Sequence, residues 1–242
     1  MTNRTKGLAV LAVLGVVAVA GAVYLLGPGA EQPAPLSLDD RTTTTPSTAP
    51  GTGSSGTGTA TGASAAAVEG RWTVGTGSRA GYRVLEDRLG GLSNIEAVGR
   101  TDRVTGGFTV SGTTASGVEV VVDVASITSD SGFRDGRFRG SIMEADRFPT
   151  ATFRTDEVDL PAVPEVGRTV EVPVKGTLTL KGVDRPVSTN LQVRRTDPGT
   201  VEVLGSVPVT FADFGIDTPR PPGLSVRDSG QVEFLVVARP AG

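Results

Sequence analysis

Any chemistry this chain performs must come from carboxylates, guanidinium groups and hydroxyls, because its 242 residues contain neither histidine nor cysteine. A disulfide, a thiolate nucleophile, a Ser-His-Asp triad, a Cys/His zinc site and a His-ligated haem are therefore all excluded. An all-carboxylate calcium site survives that exclusion, but no D-x-D-x-D-G loop is present to build one. Arg134-Asp135 is the most tempting polar pair; it reads as a helix-start carboxylate beside a guanidinium, a structural arrangement. Glu86-Asp87 and the group Asp156, Glu157 and Asp159 could in principle do acid/base work on a sugar. Adjacent strand residues point to opposite faces, however, so these acids read as solvated surface. No catalytic residue is expected, and no metal or cofactor.

The net charge is −3, and the first 67 residues are balanced: Arg4, Lys6 and Arg41 against Glu31, Asp39 and Asp40. The remainder is mildly acidic and offers no basic field to a phosphate backbone, which argues against nucleic-acid binding.

The N-terminal part reads as an address. Gly7 to Leu26 is an uninterrupted run of apolar residues and glycines preceded by Arg4 and Lys6. As a helix it would reach about 30 Å, the thickness of a bilayer's hydrocarbon core. The basic flank predicts a cytoplasmic N-terminus and an extracytoplasmic remainder. We expect residues 1–27 to be a retained transmembrane signal anchor; a cleavable signal peptide, which would leave the protein secreted, is the alternative. Residues 28–67 are poor in large apolar groups and predict a disordered linker rich in proline, serine, threonine and glycine. Such a coil of about 40 residues would hold its ends roughly 35 Å apart.

From Val68 to Gly242 the pattern changes to short alternating runs separated by glycine-rich turns. Eight to ten strands are expected, with Asp197-Pro198-Gly199 as a hairpin turn and Trp72 as a core plug. The pattern breaks once, between Ser126 and Phe153, where Phe133, Phe138, Ile142 and Met143 fall at helical spacings and Phe148-Pro149 imposes an extended exit. This predicts an all-β antiparallel domain, sandwich or barrel, with a short helical lid. Inward parity marks Tyr82, Val84, Phe108, Val120, Val122, Phe153, Leu178, Leu180, Phe211 and Phe234, along with Val110, Val209 and Val236.

Several segments together resemble the YceI-like family. They are Trp72, Gly106-Gly107-Phe108, Ala125-Ser126-Ile127, Arg134-Asp135, the run Arg147 to Phe153, the run Lys175 to Val187, and Ala212-Asp213-Phe214-Gly215-Ile216. The resemblance implies a lipocalin-like β-barrel holding a long polyisoprenoid chain, in exported bacterial proteins. It makes the inward side chains and the lid residues Phe133, Phe138, Ile142 and Met143 candidate ligand contacts. The family's His-Ser pair before the second strand and the histidine after it correspond here to Gly77-Ser78 and the stretch Glu86-Asp87-Arg88, so no head-group role carries over. The expectation is an extracytoplasmic, membrane-tethered binding protein for an isoprenoid-like lipid. The alternative is a cell-envelope interaction module whose barrel is filled by its own side chains.

Overall fold

The computed structural model describes residues 32–39, 68–88, 92–218 and 222–242. The apolar run Gly7 to Leu26 lies outside them, as does most of the expected linker; among the described residues no helix is long and apolar enough to cross a membrane.

Ten strand segments form one antiparallel sheet: β1 (Gly70–Val74), β2 (Arg79–Arg88), β3 (Leu92–Thr101), β4 (Val104–Ser111), β5 (Thr114–Asp123), β6 (Thr150–Asp159), β7 (Thr169–Leu180), β8 (Val183–Asp197), β9 (Thr200–Thr210) and β10 (Leu224–Pro240). They reduce to an eight-stranded closed barrel, because β1 and β2 are two halves of one strand, and β3 and β4 two halves of the next. The 17-residue β10 pairs with β2 through Leu235 and with β1 from Ala238 onward, and so closes the ring. Ser78 bridges the break between β1 and β2: its Oγ accepts from Val237 N at 2.9 Å, keeping that amide bonded where the ladder lapses. Closure leaves few sheet edges exposed and decides for the barrel over the sandwich that the alternating pattern also allowed.

The strands run up and down, so connections alternate between two ends. One end carries the β2–β3, β5–β6, β7–β8 and β9–β10 connections; the other carries the remaining hairpins and both termini of the barrel. At the first end, the β5–β6 connection holds the lid, composed of α1 (Gly132–Arg137) and a π-helical turn (Phe138–Ile142). Ser131 caps α1 by accepting from Arg134 N. The β7–β8 turn has positive φ at both Lys181 (49°) and Gly182 (73°), and the Phe148 ring lies where a Gly182 side chain would begin. At the far end Trp72, 1% exposed, donates to Val68 O at 2.9 Å and stacks on Phe108, so the expected core plug is in place.

Two expectations change. The alternating run Gln231 to Ala238 predicts the closing strand, but β10 begins seven residues earlier, at Leu224, its first part hidden because a bulge between Val226 and Gly230 breaks the period. Within the expected linker, residues 32–39 are packed against the outside of the barrel, where Leu36 and Leu38 are buried on Leu235. A polar composition concealed two well-placed leucines.

Candidate functional site

Among the described residues, one cavity lies in the lid half of the barrel and another in the opposite half. The larger, about 310 Å³, lies beneath the lid; the smaller, about 120 Å³, lies above the Trp72 plug. The larger one sits at the lower limit of the roughly 300–1,000 Å³ usual for small-molecule sites. The barrel is thus not wholly filled by its own side chains.

Alternation along the strands brings most of the predicted residues to these spaces. Tyr82, Val84, Val122, Leu180 and Phe211 line the upper cavity from the wall, and Phe133, Phe138, Ile142 and Met143 line it from the lid. Phe108, Val120, Phe153 and Phe234 line the lower one. Leu178 lines neither: it is buried in the cluster around Val207 and Phe214. Phe234 packs against the clusters on both sides and so stands between the two spaces. Its ring lies over Gly205 on β9, where an added Cβ would come within 2.4 Å of Phe234 Cζ.

The lid is pinned by aromatic and ionic contacts. Phe138 stacks on Tyr82 of the wall, while Phe133 remains 60% exposed at the lid's outer edge with the Arg137 guanidinium 5.8 Å from its ring centroid. Arg134 is buried, with Glu86 Oε1 3.6 Å from its Nε and Asp130 on its Nη1. Asp135 accepts from Ser129 N at 2.9 Å and from Ser129 Oγ at 2.6 Å, so it ties down the turn before α1, whereas Arg134 turns to Glu86 and Asp130. Arg134 also lines the upper cavity.

Glu86 is a correction. It does not lie on the solvated surface but is 3% exposed and lines the upper cavity, whereas Asp87 points outward and pairs with Arg227. Glu86 continues the inward parity of Tyr82 and Val84, because β2 runs on to Arg88. Burial pushes the Tyr82 phenol well above its ordinary pKa, outweighing the pull of Arg134, and neighbouring acids push the same way. For Asp130, burial raises the carboxyl pKa, but hydrogen bonds from Gln32 and Arg134 outweigh it and hold the group below its usual value.

The upper space is therefore a mainly apolar pocket whose polar lining includes Tyr82, Glu86 and Arg134 under the lid. Its chemistry suits retention of a largely hydrocarbon molecule bearing a small polar end.

A family model described as YceI-like domain matches residues 76–238. In fold the chain is similar to a polyisoprenoid binding domain from Saccharophagus degradans implicated in plant cell wall breakdown. That likeness has a TM-score of 0.55 and 20% identity, over 70% of this chain and 98% of that one. It is also similar to BcnA of Burkholderia cenocepacia, with a TM-score of 0.48 and 20% identity over 64% of this chain and 95% of that one. No match was found among curated proteins.

Proposed function

The chain belongs to the YceI-like family, and from that premise we propose that its barrel is a non-catalytic binding protein for a long isoprenoid-like lipid. The apolar cavity beneath the lid carries this reading, since a barrel filled by its own side chains would have no such space. The binding of a polyisoprenoid by a domain of the same fold supports it. Affinity would come from burying hydrocarbon at about 25 cal/mol per Å². Tyr82, Glu86 and Arg134 would meet the polar end.

The apolar run Gly7 to Leu26 and its basic flank support the rest of the proposal: a single-pass anchor with the barrel on the extracytoplasmic side.

A cavity-filling variant tests the carrier role. Ala151 lines the upper cavity, and Ala151→Phe would put a ring into empty space. We expect it to abolish uptake of a fluorescent polyprenol by the purified chain while preserving thermal stability. Undiminished uptake by a folded Ala151→Phe protein would overturn the assignment of the cavity.

A further inference from the structure

Residues 32–39 form a strap with a definite direction along the barrel's outer wall. At the lid end, the Gln32 side chain donates to Asp130 Oδ2 at 2.7 Å. Next, the Pro33 carbonyl accepts from Arg83 Nη2 at 2.8 Å and the Ala34 carbonyl accepts from Arg100. Leu36 and Leu38 then pack on Leu235, with Leu204 beside them. Finally Arg194, three residues before the far-end hairpin turn begins at Asp197, donates to the Leu38 carbonyl and to Asp39 Oδ1, the latter at 2.9 Å.

Beneath the strap lies a charged layer that the strap helps bury. Arg83 and Arg100 both bridge to Glu233, which is 5% exposed, and Arg194 pairs with Glu202. The strap's carbonyls take up guanidinium donors that these carboxylates leave over. Its attachment is therefore specific in register as well as apolar.

The direction matters because of the chain before it. Only Gly27 to Glu31, five residues, separate the apolar run from Gln32. Fully extended, they reach about 17 Å. Without the strap, the tether would be the whole stretch from Gly27 to Ala67. The lid end also presents two arginine–aromatic pairs, Arg137 over Phe133 and Arg147, which also pairs with Glu144, over Phe148 at 5.0 Å. Such pairs can bury a ring in the acyl boundary while the guanidinium stays among headgroup phosphates.

We propose that the strap docks the lid end of the barrel on the membrane, with Phe133 and its neighbouring arginines against an anionic lipid surface and the upper cavity facing the bilayer. This rests on the anchor and carrier readings above. The barrel then exchanges its cargo directly with the membrane rather than swinging on a long tether.

The absence of native cysteine makes the test direct. The full chain, carrying a nitrobenzoxadiazole label at Phe133→Cys or at Pro198→Cys, is reconstituted into vesicles of phosphatidylcholine and phosphatidylglycerol containing a headgroup-region spin-labelled lipid. We expect quenching at position 133 at least threefold stronger than at 198. Either of two further changes should reduce it at least twofold: Leu36→Asp with Leu38→Asp, which releases the strap, or twelve Gly/Ser residues inserted between Glu31 and Gln32, which lengthens the tether with the strap intact. Equal quenching at both positions, or no response to the insertion, would overturn the proposal, as would failure of the chain to float with the vesicles. Extraction of the Pro198→Cys sample, whose cavity lining is native, keeps the carrier reading separate: quenching at 133 with no isoprenoid uptake by the 198-labelled chain sinks the carrier and leaves the orientation standing.

Discussion

The Tyr82 and Phe138 rings stack with centroids 4.8 Å apart and an interplanar angle of 24°, joining the barrel wall to the lid. An aromatic pair of this kind contributes roughly 0.5–1.5 kcal/mol beyond its area burial. Phe138→Ala should therefore loosen the lid without unfolding the barrel. We expect dissociation of a bound fluorescent polyprenol to accelerate by about twofold to tenfold, read by stopped-flow transfer to acceptor vesicles. An unchanged rate would mean that cargo leaves by another route.

Removing Arg134 takes an ion-pair partner from the buried Glu86 carboxylate. Breaking a buried ion pair on one side costs roughly 3–5 kcal/mol, because the remaining buried charge is then less well compensated. Arg134→Met alone should lower the urea midpoint strongly, and Arg134→Met with Glu86→Gln should recover most of the loss. If the double variant is no better than the single one, the stabilising partner of Arg134 is Asp130 instead.

The buried Tyr82 phenol predicts an alkaline effect. An unfolded tyrosine ionises near pH 10, as a rough value. In the folded protein burial raises that pKa, so above about pH 10 the unfolded chain loses a proton that the folded chain retains. The contribution of the neutral phenol is whole below that pH and falls progressively above it. Ultraviolet titration of a Tyr24→Phe variant, in which Tyr82 is the sole tyrosine, should show the phenol resisting ionisation until the protein unfolds. An ordinary titration midpoint would contradict its burial.

Phe234 should determine how much hydrocarbon the barrel accepts. Gly205→Ala would force its ring to move, and overpacking of this kind costs roughly 1–3 kcal/mol. Phe234→Ala has the opposite effect, opening the wall between the upper and lower cavities. Across a series of polyprenols, the preferred chain length should increase in Phe234→Ala; no change would show that the partition lies elsewhere.

The barrel wall was legible because its strands bury one face only, so inward positions recur with period two. That period placed Val120 and Val122, or Leu180 and Phe211, without knowledge of the topology. Leu178 has the same parity but falls at a level where the interior is filled by neighbours such as Val207, a property of three-dimensional packing. Arg83, Arg100 and Glu233 carry no signal of their own in the sequence, because the strap that covers them lies some fifty residues or more away from Arg83 and Arg100. The strap's only local signal is Leu36-x-Leu38, a two-residue alternation in a polar stretch. Its docking depends on guanidinium donors from β2, β3 and β8, which no periodicity within the strap could disclose.

Native mass spectrometry of the chain from Gly27 onward, followed by organic extraction, tests the carrier reading most directly. The account predicts a mass excess corresponding to one isoprenoid-like lipid per barrel, lost in Ala151→Phe. A protein that keeps its bare mass after incubation with polyprenols of several lengths would contradict it.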